Sequence, residues 1–411
     1  MKTLAIKGGQ KTRTEPFPAR KHFGQEEKDA AMALFDQAIE TGNPFGYNGP
    51  QEKAYCEEFA EFMGGGFADA VNSGTNSVYV ALKALELKPF TEVVVGAVND
   101  PGGIMPIALL NCIPVVVDTI PNSYNTSPEQ VEACITDLTS AIIIPHIGGE
   151  PADIKGIIEV ARKYHLPVVE DCSQSHAASI DGQYVGTFGD IAAFSVMFGK
   201  HCCVGGQGGV VFTKNEDLYW SVRRHADRGK PFGIENSNGN VAPSLNCNMD
   251  ELHAAIGRVQ LKKLSGIVER RNVFAEIMKP KLAKLNSVIV PQIAANAVHS
   301  YWWWKLGIDA TKLTCNKDEF CAALQAEGIS MNPRYGGALP HTFDWFKNRA
   351  RQHPWNNPLC QGNPTRDFPT PNALAVMDNY FNLNIFESWG KKEAEDIAAA
   401  FEKVENAYLK Q

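Results

Sequence analysis

Apolar positions along this chain follow two rhythms that alternate. Seven continuous runs rich in Val, Ile and Ala occur at Ala68–Asn72, Glu92–Val98, Ile113–Asp118, Ala141–Ile147, Leu166–Asp171, Ile191–Met197 and Gly209–Thr213. Between and around them lie segments with three- and four-residue apolar steps, such as Glu26–Thr41, Ala54–Met63, Asn76–Leu87 (Val78, Ala81, Leu82, Leu85), Ser127–Cys134 and Asp153–Tyr164. Continuous apolar strands separated by amphipathic helices predict a mainly parallel seven-stranded sheet covered by helices on both faces, an α/β domain. Such sheets bind ligands at the carboxyl ends of their strands.

From Leu252 the rhythm becomes helical to about Leu285, and the pattern then turns mixed. A strand is predicted at Ser300–Ile308, a helix at Asp318–Gly328, a polar, Pro-rich loop at Gln352–Asn372 and a closing helix at Lys391–Leu409. The boundary is placed near 266, with an arm and large domain over 1–265 and a smaller α+β domain over 266–411. Trp302, Trp303 and Trp304 are expected to alternate faces of the strand in structural roles. The turn-rich stretch Asn43–Gln51 reads equally as a connector or as a loop lining a substrate site.

Bulk properties narrow the function. A length of 411 residues suits two structural units, and a net charge of -7 argues against nucleic acid as the partner. The ten cysteines contain no CxxC pair. Together with an N-terminus lacking a signal-like apolar run and no stretch approaching a membrane span, this leads us to expect a cytoplasmic protein with reduced thiols. The adjacent Cys202 and Cys203 read as buried filler.

Chemistry gathers around Asp190–Thr213, DIAAFSVMFGKHCCVGGQGGVVFT, where Lys200 lies between an apolar run carrying Ser195 and a glycine-dense turn. An ammonium among core strands is costly unless paired or chemically engaged. Ser73-Gly74-Thr75, between a strand and a helix, offers backbone N–H groups and hydroxyls at a helix N-terminus, which suits a phosphate as well as an ordinary cap. Asp171 ends a strand. Read together, a phosphate cradle, a carboxylate, a hydroxyl at Ser195 and a lysine match the needs of pyridoxal 5'-phosphate, whose aldehyde bonds a lysine and whose ring nitrogen needs an acid partner. No GxGxxG joins a strand to a helix, GGQGG lacks the Lys-Ser/Thr of a P-loop, and no histidine pair has metal-ligand spacing, so no metal is expected. His201 reads as structural.

The motifs SGTN (73–76), EDCSQSH (170–176), GDIAAFS (189–195), Lys200, GQGG (206–209), LNCNMDELHAAIGRVQL (245–261), RYGGALPH (334–341) and FNLNIFESW (381–389) resemble those of the DegT/DnrJ/EryC1/StrS aminotransferases. The resemblance implies fold type I of the pyridoxal-phosphate enzymes and a homodimer with shared active sites. It further implies amino transfer from glutamate or glutamine to a nucleotide-linked keto sugar or a cyclitol ketone. By position, Lys200 would be the Schiff-base lysine and Asp171 the partner of the pyridine nitrogen. Gln174 would lie by the ring hydroxyl, Gly74, Thr75 and Ser195 would hold the phosphate, and Asn246 would reach the neighbouring subunit's phosphate. Three positions depart from the family. Asp100, inside the turn-like NDPGG (99–103), stands where an aromatic ring usually covers the cofactor, Asn248 replaces an arginine, and the segment from Tyr335 to Pro354 fits only at Tyr335, Pro340 and His341. Two rival readings are a sugar dehydratase, whose members carry histidine where Lys200 stands, and a cofactor-binding regulator without turnover.

Overall fold

The seven apolar runs assemble into one sheet. In the computed structural model, which describes residues 3–348, 353–363 and 366–410, they are β1 (Phe67–Val71), β2 (Glu92–Gly96), β3 (Ile113–Val117), β4 (Thr139–Pro145), β5 (Val168–Asp171), β6 (Ile191–Ser195) and β7 (Gly209–Thr213). Their order across the sheet is β1-β7-β6-β5-β4-β2-β3. β7 runs antiparallel to both neighbours, whereas β6, β5, β4, β2 and β3 are mutually parallel.

Alternation along single strands shows why both faces are covered. Ala192 and Phe194 of β6 pack with Tyr55 and Phe59 on one face, and Ala193 between them packs with Val78 and Val169 on the other. The Pro50–Phe62 helix packs along the Glu251–Leu282 helix, while Gly74–Ala84 packs beside Pro101–Leu109 and Glu216–Ala226. Burial of Val93–Val95 and Ala141–Ile144 is essentially complete, which is why those runs are apolar throughout.

The smaller unit has a four-stranded sheet in the order Val288–Ile289, Trp304–Ile308, Tyr380–Leu383, Met331–Asn332. The Lys317–Ala326 and Lys391–Tyr408 helices share its core. The boundary near 266 falls inside the unbroken Glu251–Leu282 helix. Along that helix, Leu261, Leu264 and Val268 join the large-unit core, and Phe274, Ala275, Met278 and Leu282 join the small-unit core. The arm departs from its expected unit too. Leu4 lies in the small-unit core, Thr12 and Ala5 bond Glu327, and Phe17 stacks on Trp389 at 4.3 Å. Conversely, Leu339, Phe346 and Trp355 pack on the large-unit core.

Two further differences matter for the site. The turn-like NDPGG opens a helix, Pro101–Leu109, with Asp100 as its N-cap and Pro101 in the first turn. The strand expected from Ser300 begins only at Trp304, so Trp302 and Trp303 precede it and do not alternate across a sheet. Of the loop expected over Gln352–Asn372, Gln352, Pro364 and Thr365 lie outside the described residues; the remainder contains a short turn of helix at Pro354–Asn356 and the start of the Pro371–Asn379 helix. No helix of the described residues is long and apolar enough to cross a membrane.

Ile143 lies mid-strand in β4 at 0% exposure. Ile143→Ala should therefore lower unfolding stability by about 2–5 kcal/mol through lost burial and a residual cavity, measurable as a reduced urea midpoint with an unchanged m-value.

Candidate active site

A cleft opens where the parallel strands end. Ser73–Thr75 follow β1, Asn99 and Asp100 follow β2, Pro145–Ile147 close β4, Asp171 ends β5 and Ser195 ends β6, with Lys200 on the loop beyond it; all line one cavity. Including its open mouth, the cavity encloses about 680 Å³, within the range of small-molecule and cofactor pockets. One geometric fact, the shared polarity of the strands, thus gathers residues from widely separated parts of the chain.

The cradle is tightly built. Ser73 caps the Gly74–Ala84 helix, its hydroxyl accepting from Asn76 N at 3.1 Å. A Cβ on Gly74 would lie 2.4 Å from Ser195 Cβ, so only glycine lets the helix start meet the end of β6. A Cβ on Gly102 would lie 2.6 Å from Thr75 Oγ1, which places the start of the Pro101–Leu109 helix against the same corner. The start of the Gly74–Ala84 helix, with the Thr75 hydroxyl, is therefore the part of this corner suited to an anion, whereas the start of the Pro101–Leu109 helix is already capped by the Asp100 carboxylate. Asn99 Nδ2 is buried there with no partner among the described residues.

Opposite the cradle lie the charged groups. Asp171 is 6% exposed and accepts from Ser173 N at 3.0 Å. Burial pushes its carboxyl up, an effect that the Ser173 hydrogen bonds and the nearby Lys200 charge partly offset. A cationic N–H donor is the partner that such a carboxylate lacks. Lys200 is 5% exposed, and burial lowers its ammonium to about 8, against the pull of Asp171 and Asp100. Its Nζ sits 3.7 Å from the centre of the Trp302 ring, whose π face replaces part of the lost hydration. Gln174 is held at both ends. Its Oε1 accepts from Gly148 N at 2.8 Å and its Nε2 donates to Tyr335 Oη at 2.8 Å. Beneath Asp171, Glu170 accepts from the backbone N–H groups of Gly186, Phe188 and Gly189 and from His146. Its oxygens are thus committed to fixing the strand end.

Six of the seven expected cofactor residues, Gly74, Thr75, Asp171, Gln174, Ser195 and Lys200, line this cavity. Asn246 does not; it is exposed outside the cleft, its Oδ1 accepting from Asn248 Nδ2 at 2.6 Å. The set that is present fits pyridoxal phosphate by its chemistry, with an anion cradle, a buried carboxylate in need of a cationic donor and a buried amine in one recess.

The model of the DegT/DnrJ/EryC1/StrS aminotransferase family matches residues 25–402. The chain belongs to this family. This aminotransferase is 30% identical to the GDP-perosamine synthase of Caulobacter vibrioides over 67% of its own chain and 73% of that protein. It is 27% identical to the L-glutamine:scyllo-inosose aminotransferase of Streptomyces griseus, over 98% and 97% of the two chains. Among solved structures, the aminotransferase from Psychrobacter cryohalolentis superposes with a TM-score of 0.83 at 25% identity, covering 95% of this chain and 98% of that one.

Sequence reasoning missed Trp302 and left Asp100 open. Asp100 does not offer a ring. It caps its helix by accepting from Gly102 N at 2.9 Å, and its charge is felt at Lys200, Asp171 and Tyr335. The sequence pattern puts Trp302 on a strand face, but the strand starts two residues later, freeing its ring to cover Lys200. His201 turns away, with Nε2 bonded to the Ser300 carbonyl at 2.9 Å. Cys202 and Cys203 are fully buried, and burial raises both thiols, Cys203 to about 11, which keeps them unreactive.

In the cofactor-free aminotransferase, Lys200 should stay protonated below a midpoint near 8 and become nucleophilic above it, against 10.5 for an ordinary lysine. Acylation by a small amine reagent across pH, quantified for the Lys200 peptide by mass spectrometry, checks this; a midpoint near that of surface lysines would contradict it.

Proposed function

We propose that this aminotransferase uses pyridoxal 5'-phosphate to move an amino group from glutamate or glutamine to the ketone of a nucleotide-linked sugar or a cyclitol. The observation that carries the reading is the buried pair of Lys200 and Asp171 facing one recess with the Ser73–Thr75 helix start and Ser195. Relatives named for a GDP-linked amino sugar and for an inosose support both acceptor classes.

Each residue has a definable task. Backbone N–H groups at Gly74 and Thr75, with the Thr75 and Ser195 hydroxyls, would bind the phosphate, and Gln174, fixed by Gly148 and Tyr335, would orient the ring from its hydroxyl edge. Asp171 would hold a proton on the pyridine nitrogen; a carboxylate already raised by burial gains most from such a partner. When bound, the cofactor supplies an aldehyde for the amine and a ring that withdraws electrons from the reacting carbon. Lys200 Nζ would first hold that aldehyde and then, once freed, carry the proton between the donor's α carbon and the cofactor's aldehyde carbon. A lowered ammonium suits this work, because an appreciable fraction of the amine is free near neutral pH.

The working assembly in this reading is a cytoplasmic homodimer, with the exposed Asn246 of each protomer serving the partner's phosphate. An intact Lys200 speaks against the dehydratase, which uses histidine there. Turnover without loss of a hydroxyl would separate transfer from dehydration, and turnover of any kind would exclude a pure regulator.

Lys200→Ala should abolish amino transfer and the borohydride-fixed covalent attachment of cofactor to the chain, and Asp171→Asn should lower kcat by about 10²–10⁴-fold with the cofactor still bound. The assay is release of 2-oxoglutarate from glutamate, or of the corresponding keto acid from glutamine. It is paired with mass spectrometry of aminated products from a panel of nucleotide keto sugars and inososes. An active Lys200→Ala variant would remove the assignment, and a panel without aminated product would remove the acceptor class.

A further inference from the structure

The N-terminal arm reaches the back of the Lys200 loop. Arg20 donates from Nη1 to the Gly199 carbonyl at 3.0 Å and from Nη1 and Nη2 to the Lys200 carbonyl, both at 3.2 Å. Its Nε donates to Glu387 Oε1 at 2.9 Å. The other oxygen of Glu387 accepts from Arg271 Nε at 2.9 Å and Nη2 at 2.8 Å. Arg271, 0% exposed, turns its Nη1 to the Tyr301 carbonyl at 2.6 Å and the Trp302 carbonyl at 3.5 Å.

The chain of contacts closes on the site. Trp302 Nε1 donates to the Gly199 carbonyl at 3.3 Å, the same oxygen that Arg20 holds, and the Trp302 ring lies over Lys200 Nζ at 3.7 Å. One carboxylate thus grips two guanidinium groups, one holding the backbone of Lys200 and the other the backbone leading into Trp302. Burial alone would raise Glu387, but the His22 hydrogen bond and the Arg271 and Arg20 charges hold it well below the ordinary carboxylate range, so the clamp stays charged at any physiological pH.

We infer that Arg20, acting through Glu387 and Arg271, is a positioning residue that sets Lys200 against Trp302, so that the seating of the N-terminal arm is part of the amino-transfer apparatus. It rests on the reading of Lys200 as the cofactor-bearing amine. Arg20 touches neither Lys200 Nζ nor the cavity; its action is on the backbone from which Lys200 projects. The groups facing the ammonium are Asp171 and Asp100, the Trp302 ring and the His176 imidazole, which burial and the lysine charge lower to about 3. Arg20 is not among the charges acting on Lys200 and its replacement removes none of these groups, so a change at Lys200 reports displacement of the amine from them.

Arg20→Met and Arg20→Lys are compared with wild type. In the cofactor-free protein, the Lys200 acylation midpoint of Arg20→Met should rise by about one pH unit as the amine leaves its desolvated seat. In the holoenzyme, kcat should fall about tenfold or more, with the donor KM changed far less. Arg20→Lys restores the charge but not the fork that spans two carbonyls and a carboxylate, and should fall between the two. If Arg20→Met keeps the wild-type midpoint and kcat, the inference is overturned. If Arg20→Met fails to fold, the same two readouts on Arg20→Lys decide it, and no change there overturns it equally. Should Lys200→Ala still fix the cofactor covalently on borohydride reduction, the reading of Lys200 fails, while the acylation midpoint still measures the effect of the arm.

Discussion

A single desolvated ammonium organises this molecule. Lys200 is kept from water by Trp302 and the ends of the parallel strands, and its charge is tolerated because two carboxylates and an aromatic face replace lost hydration. The arrangement is poised between two costs. Deeper burial without Asp171 and Asp100 would strip the proton permanently, and fuller exposure would return the amine to its ordinary basicity and leave it protonated through the working range. Amino transfer needs a lysine able to give and take a proton near neutral pH, and partial compensation of a buried charge is the physical route to it.

The surrounding architecture converges on that point from both units. Parallel strands deliver Ser195, Asp171 and the cradle from their carboxyl ends, while the second unit contributes Trp302 and Tyr335. The Glu251–Leu282 helix, shared by both cores, carries Arg271 at the passage from one to the other. Because the arm packs on the smaller unit and ends at the Lys200 loop, the site is braced across three separate stretches of chain. An isolated large unit would lack these braces.

Much of this was legible in the residues. Short Val- and Ile-rich runs separated by amphipathic helices indicate strands buried on both faces, and each lies within a few residues of its expected ends. Gly74 beside Ser73 and Thr75, Asp171 at a strand end and Lys200 between apolar runs are local features with local chemical meaning, and all reached one cavity. The Pro101–Leu109 helix was hidden because Asn, Asp, Pro and Gly signal a turn and a helix start with the same residue types. The strand assigned to Ser300–Ile308 was read too long, since three tryptophans satisfy β-propensity whether or not a neighbouring strand is there to pair with.

By itself the sequence determined the sheet, the cofactor chemistry and the family, because hydrophobic period, strand-end residues and short motifs act over a few neighbouring positions. Only the tertiary structure decided that Trp302 covers Lys200, that Asp100 serves as a cap, that one helix spans both cores and that Arg20 holds the Lys200 loop. Those facts depend on contacts between residues as far apart as Arg20 and Glu387. Such contacts leave no periodic trace in the chain, because only the folded backbone sets their distances.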